Sequence, residues 1–223
     1  MVDVRRVLTD PRHPLAALFH LVEKPEDLEE LLALRATVDP VSAAALQNIS
    51  LVPPADRYMG PRAALVMGPF LTIWPSRFSP GTYGMLYSGA TLDVAAREHG
   101  FHVGLALAAT RASATMLPRY GIDLAIDDRD HRDIRAGGAN DLKNPQIYDP
   151  DNYGPAQFLG ASLRAARRDG VWYDSVRAPG GTCYGTFRPA SVATVRDVAT
   201  ELELEWNGSA VVAYRVITTH SLT

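Results

Sequence analysis

Apolar positions keep helical spacing in the first part of the chain and alternate in the last. Leu15, Leu18, Phe19 and Val22 follow the i, i+3, i+4, i+7 interval of one helix face. Pro25-Glu26-Asp27 opens a second helix, with a proline and acids in its first turn, and Leu28, Leu31, Leu32 and Leu34 form its apolar side. Ser42 to Asn48, after Pro40, predicts a third short helix. Pro53-Pro54 and Gly60-Pro61 then break regular structure. Ala64 to Trp74 is dense in strand formers (Leu65, Val66, Phe70, Leu71, Ile73) and predicts a strand. A Pro/Ser/Gly loop, Pro75 to Gly81, leads to a short strand at Tyr83 to Tyr87. Thr91 or Ser88 can cap a helix carrying Leu92, Ala95, Ala96 and Glu98, and Gly100 places Glu98 near its end.

Ile122 to Ile126 predicts a strand, and the polar run from Asp127 to Asn144 a loop. Asn152 caps a helix from Tyr153 to Arg168, with Pro155 tolerated in the first turn and Gly170 ending it. Val171 to Tyr173, Cys183 to Phe187, Ala193 to Glu203 and Ala210 to Ile217 predict strands. Leu202, Leu204 and Trp206 alternate with Glu201, Glu203 and Glu205, the pattern of a strand with one buried face. Helices followed by an irregular mixture and then strands imply an α+β fold. Residues 1–55 form an N-terminal helical extension, and residues 56–223 the main body.

Composition narrows the classes. With 47% hydrophobic and 21% charged residues over 223, global disorder is excluded. A net charge of −3 argues against a broad basic face, so no direct nucleic-acid binding is expected. Cys183 is the single cysteine, which excludes an intrachain disulfide and a four-cysteine zinc site. The apolar run Leu15–Val22 is short and interrupted by His20, and no stretch reaches the ~20 residues of a membrane span. A cytoplasmic protein without membrane contact is the expectation. No glycine-rich phosphate loop, GxSxG elbow or HExxH occurs. His99 and His102 have HxxH spacing, with Asp127, Asp128, Asp130 and His131 elsewhere, but no third ligand stands at a fixed interval, and no metal is expected.

Three segments carry a resemblance. They are Arg77-Phe78-Ser79-Pro80-Gly81-Thr82-Tyr83-Gly84-Met85-Leu86-Tyr87-Ser88-Gly89-Ala90-Thr91, the following Leu92-Asp93-Val94-Ala95-Ala96-Arg97-Glu98, and Gly170-Val171-Trp172-Tyr173-Asp174-Ser175-Val176-Arg177 with Gly180-Gly181 and Phe187-Arg188-Pro189. Over roughly residues 60–190 the chain resembles the RES-domain proteins, named for an Arg, a Glu and a Ser, which Arg77, Glu98 and Ser175 match. The resemblance implies a fold similar to ADP-ribosyltransferases, with a split β-sheet, flanking helices and an NAD cleft. It implies an NAD-degrading toxin that cleaves the nicotinamide–ribose bond with phosphate or water as acceptor, held in check by a helix-turn-helix antitoxin. A protein ADP-ribosyltransferase, or a non-catalytic nucleotide-binding or partner-interaction module, are the alternatives.

That chemistry assigns roles. Nicotinamide leaves from an oxocarbenium-like ribosyl cation, which a carboxylate on the ribose hydroxyls stabilises; Glu98 is the candidate. Arg77 would grip pyrophosphate through charge-assisted hydrogen bonds. Tyr87 would stack on nicotinamide, with Phe78, Tyr83 and Thr91 as weaker binding candidates, and Ser175 would position the ribose. Arg177 is either a further phosphate contact or a salt-bridge partner, and Cys183 reads as a small buried residue rather than a nucleophile. Two departures stand out. Pro75-Ser76-Arg77-Phe78-Ser79 replaces the Gly-Gly-Arg-Trp-Asn common at the Arg loop, and Phe70-Leu71-Thr72-Ile73 offers no second arginine before it.

Overall fold

The computed structural model describes residues 1–138 and 144–218. In chain order these form β1 (Val2–Leu8), α1 (Ala16–Phe19), α2 (Asp27–Ala36), α3 (Pro40–Ile49), α4 (Ala63–Leu71), β2 (Leu86–Gly89), α5 (Leu92–Ala109), β3 (Thr115–Ile126), β4 (His131–Asp133), α6 (Gly154–Ala165), β5 (Gly170–Asp174), β6 (Thr182–Thr186), β7 (Val192–Trp206) and β8 (Val211–Ile217). The class is α+β, as the element order implied. On β7, Leu202, Leu204 and Trp206 are buried while Glu201 and Glu205 are exposed, so the alternation fixes which face packs.

The strands order as β4-β5-β6-β2-β1-β3-β7-β8. Only β4 and β5 run parallel; the other neighbours are antiparallel. The expected split takes a particular form. All eight strands share one sheet, yet its halves meet at a single register pair, Arg5 opposite Gly89. On either side pairing is extensive: β1 runs along β3 from Val2–Ile126 to Leu8–Tyr120, and β2 pairs β6 from Leu86–Thr186 to Gly89–Cys183.

Two sequence expectations need correction here. The first is the N-terminal helical extension, because its opening residues are an inner strand. Val4 and Leu8 pack with the α1–α4 layer and Val7 packs toward α5, but the Arg5-Arg6 pair hides that alternation. The sheet therefore crosses the proposed boundary at residue 55. The second is the strand at Ala64–Trp74, which is the helix α4. Every residue of α4 but Pro69 is buried, so the segment is apolar all round and shows no period to separate helix from strand.

Other differences are smaller. The short strand lies at Leu86–Gly89 rather than Tyr83–Tyr87. Asn152 Oδ1 accepts from Gly154 N–H at the start of α6, and Pro155 sits in its first turn. The predicted loop from Asp127 to Asn144 contains β4; its residues 139–143 lie outside the described residues. Thr91 caps α5 by accepting from Val94 N–H at 3.2 Å, as read. However, α5 does not stop at Gly100. It continues to Ala109, and Gly100 sits inside it because a Cβ there would come within 3.1 Å of Val211 Cγ1 on β8. Glu98 is thus mid-helix, away from the unfavourable end of the dipole.

Candidate functional site

A cavity of about 300 Å³ opens where the sheet halves meet. Helix α5 lines it with Ala95, Glu98, His99 and His102, the i, i+3, i+4, i+7 stripe of one helix face. Arg6 and Val7 of β1, Ser88 and Gly89 around the junction, and the loop residues Ser76 and Arg77 complete the walls with Tyr87, Tyr153, Tyr173 and Cys183.

Glu98 and Ser175 meet across this space. Ser175 Oγ donates to Glu98 Oε1 at 2.5 Å, a charge-assisted bond. The same hydroxyl oxygen accepts from Arg177 N–H at 3.2 Å and Ala178 N–H at 2.9 Å, so the turn after β5 fixes its direction. Ser175 is buried and reaches the cavity through Glu98 rather than lining it. Cys183 Sγ lies 3.7 Å from the same carboxylate oxygen. Burial, and then that carboxylate, push its thiol up to about 12, which keeps it protonated and unreactive.

The arginine loop is held by side chains. Tyr87 Oη accepts from Phe78 N–H at 3.0 Å and shares a 2.9 Å bond with Ser76 Oγ. Gln157 Nε2 on α6 donates to the carbonyls of Ser76 and Ser79. Gly160 lets α6 touch the loop, since a Cβ there would fall 2.0 Å from the Phe78 carbonyl oxygen. Arg77 lies over the Tyr153 ring, 4.6 Å from its centroid, and Nη1 donates to the Ile147 and Asp149 carbonyls at 3.0 Å each. Those bonds clamp the guanidinium while Nε and Nη2 stay available to a ligand.

The cavity thus gathers Arg77, Glu98 and Tyr87, with Ser175 attached. It does not gather Phe78 or Thr91, and both lose their binding roles. Phe78 is fully buried and meets Tyr173 edge-on at 4.9 Å, so its ring is core. Thr91 is exposed and spends its hydroxyl on the α5 cap. Tyr83 is buried, with its hydroxyl on the Phe78 carbonyl. Among the described residues Arg177 makes no salt bridge, and it does not line this cavity; it packs 3.5 Å from the Phe101 ring centroid and donates to the Pro150 carbonyl. Within the acidic run, Asp127 pairs with Arg129 and Asp130 with Arg168. Among the described residues, no group of three or more His, Cys, Asp or Glu is arranged to hold a metal ion.

Sequence reasoning missed Arg6. Its position follows from a proline. Pro69 has no N–H to return to the Leu65 carbonyl one turn earlier in α4, and Arg6 Nη1 donates to that freed oxygen at 2.9 Å. Burial without a carboxylate partner lowers the Arg6 guanidinium to about 10, still fully charged at neutral pH. Arg6 thus places a second arginine beside Arg77 in the lining of the cavity. The signal was present in Val2–Leu8, but only the long-range pairing with β3 shows its meaning.

His99 and His102 were also set aside too early. Arg119 Nε donates to His99 Nε2 at 3.0 Å. Burial, then Arg119 and Arg6, bring His99 down to about 3, so it is neutral. Burial also lowers His102, against the pull of Glu98.

A sheet nearly parted in the middle, with an arginine loop, a helix glutamate and a serine after a strand converging at the gap, defines an Arg–Glu–Ser class of α+β protein. The family model described as the RES domain matches residues 49–207, well over half of the chain, and the chain belongs to that family. No curated protein matches it.

Proposed function

We propose that the chain is an NAD-consuming RES-domain toxin that cleaves the nicotinamide–ribose bond. The observation that carries this reading is the charge layout of one cavity: the Ser175-oriented carboxylate of Glu98 with two arginines, half-buried Arg6 and buried Arg77, in the same walls. NAD carries its positive charge on the nicotinamide ring and its negative charges on the pyrophosphate. Glu98 would meet the ribose beside the pyridinium, and the arginines the diphosphate.

The chemistry follows from that placement. As the C–N bond breaks, its electron pair goes to the ring nitrogen and nicotinamide leaves neutral, while positive charge develops on the ribose. The Glu98 carboxylate stabilises that charge, acting in a partly desolvated wall where such interactions strengthen. The acceptor oxygen of water or phosphate bonds to the anomeric carbon and releases one proton. Ser175 keeps Glu98 in a single rotamer, so the carboxylate needs no reorganisation in the transition state. The ring of Tyr87 faces the nicotinamide while its hydroxyl stays on the loop. No metal takes part in this scheme.

The partner in this reading is a helix-turn-helix antitoxin that covers the cavity, with action in the cytoplasm. No helix of the described residues is long and apolar enough to cross a membrane.

Incubating the purified protein with NAD, with and without inorganic phosphate, tests the reading. Nicotinamide release is expected, and Glu98→Gln should abolish it. Release that depends on phosphate identifies a phosphorylase; release in plain buffer, a glycohydrolase. Label carried from NAD onto protein would replace this reading with ADP-ribosyl transfer, and tight NAD binding without turnover would replace it with a binding module.

A further inference from the structure

Two groups in the cavity wall have unmet hydrogen-bonding or charge requirements. Arg6 is half-buried, with no carboxylate partner among the described residues. His99 is the second, and its protonation pattern is fixed by its neighbour. An arginine nitrogen can only donate, so the bond from Arg119 Nε makes His99 Nε2 an acceptor. The ring proton then sits on Nδ1, where no partner is present among the described residues. A neutral N–H donor and a guanidinium without a carboxylate partner in one wall suit an oxyanion, because a cation or polar group withdrawn from water is costly until it is paired.

We propose that His99 is a ligand-contacting donor, held as its Nδ1–H tautomer by Arg119, that with Arg6 seats a phosphate oxygen. This deepens the NAD reading and rests on it. Arg119 is a positioning residue: it touches His99, not the ligand. Both the diphosphate of the dinucleotide and an inorganic phosphate acceptor present the chemistry this wall takes.

Calorimetry on the full chain separates these sources with three probes: ADP-ribose, inorganic phosphate, and nicotinamide riboside, which has no phosphate. His99→Leu should weaken a phosphate-bearing probe by at least about tenfold, as expected for losing a donor to a charged group. Its nicotinamide riboside affinity should stay unchanged. Weakening of ADP-ribose assigns the wall to the diphosphate; weakening of inorganic phosphate alone assigns it to the acceptor. Asn places its amide N–H near Nδ1, and Gln places it near Nε2, so His99→Asn should restore most of the lost affinity and His99→Gln should not.

Arg119→Met gives a readout that a structural role would not move. Freed from Arg119, His99 can take a second proton, facing Arg6 from β1 and Glu98 and His102 from its own helix. ADP-ribose, whose diphosphate stays ionised, should then bind more tightly as pH falls through about 6, a trend absent or weaker in wild type. The proposal is overturned if His99→Leu binds both phosphate probes as wild type does, if Gln rescues and Asn does not, or if Arg119→Met leaves the pH profile unaltered. Failure of the NAD reading is separate: nicotinamide would not be released, while these affinities would still change.

Discussion

Replacing Ser175 with Ala isolates the bond that orients Glu98. The hydroxyl donates to the carboxylate at 2.5 Å and accepts from two backbone N–H groups. A hydrogen bond to a charged group contributes about 1.5–3 kcal/mol, and the half-exposed position of Glu98 argues for the lower end. Ala178 is buried, so its N–H loses its acceptor at about 1 kcal/mol or more, while the Arg177 N–H is less enclosed. Together these predict a loss of about 2–3 kcal/mol, which for a chain of this size lowers the melting temperature on the order of 5–10 °C. Urea unfolding of wild type, Ser175→Ala, Glu98→Ala and the double variant would give the coupling directly, expected at about 1–2 kcal/mol. Nicotinamide release by Ser175→Ala should fall in kcat more than in KM, because Glu98 stays present but unfixed. A coupling below about 0.5 kcal/mol would refute the assignment of Ser175 as the group that holds Glu98.

The remaining predictions probe the frame around that pair. Gly160→Ala drives a Cβ onto the Phe78 carbonyl and should cost about 1–3 kcal/mol in urea unfolding, while displacing the Arg77 loop and raising KM. Arg6→Met leaves the Leu65 carbonyl without its donor and should cost about 1–3 kcal/mol in urea unfolding, and it should weaken ADP-ribose binding in calorimetry. Pro69→Ala restores an N–H that competes for the Leu65 carbonyl; its melting temperature should hold or rise while ADP-ribose affinity drops. Burial lowers His131 from 6.5 to about 4, so the unfolded chain binds its proton first as acid is added. Its contribution to stability is fully present above pH 6.5 and is lost toward pH 4, at roughly 1.4 kcal/mol per pH unit. His131→Gln should flatten the stability curve over that window, and an unaltered slope would remove His131 as its source.

Local signals were legible and distant ones were not. The Thr91 cap, the buried alternation of Leu202, Leu204 and Trp206, and the breaks at Pro53-Pro54 act within a few residues, and the sequence shows them. Arg77, Glu98 and Ser175 were found through resemblance; Arg77 and Glu98 line one cavity, and Ser175 bonds to Glu98. Phe78 and Thr91 look like binding groups because they flank the right motifs, but burial and capping use them elsewhere. Ala63–Leu71 defeats pattern reading because a helix enclosed on all sides has no polar face to mark its period. The His99 and Arg6 environments depend on partners in β3 and α4, whose approach no local window contains.

The single Arg5–Gly89 register pair also bears on how the molecule is assembled. Strand β1 precedes α1 to α5 in the chain, yet it pairs in β3 as Val2 with Ile126. It must wait, unpaired, through the synthesis of α1 to α5 before any ladder can form. Such a pairing closes a long loop, which slows folding and leaves an edge available to other chains meanwhile. A shortened version restricted to residues 49–207 would lack this bridging strand altogether, and the two half-sheets would be expected to separate or aggregate rather than fold.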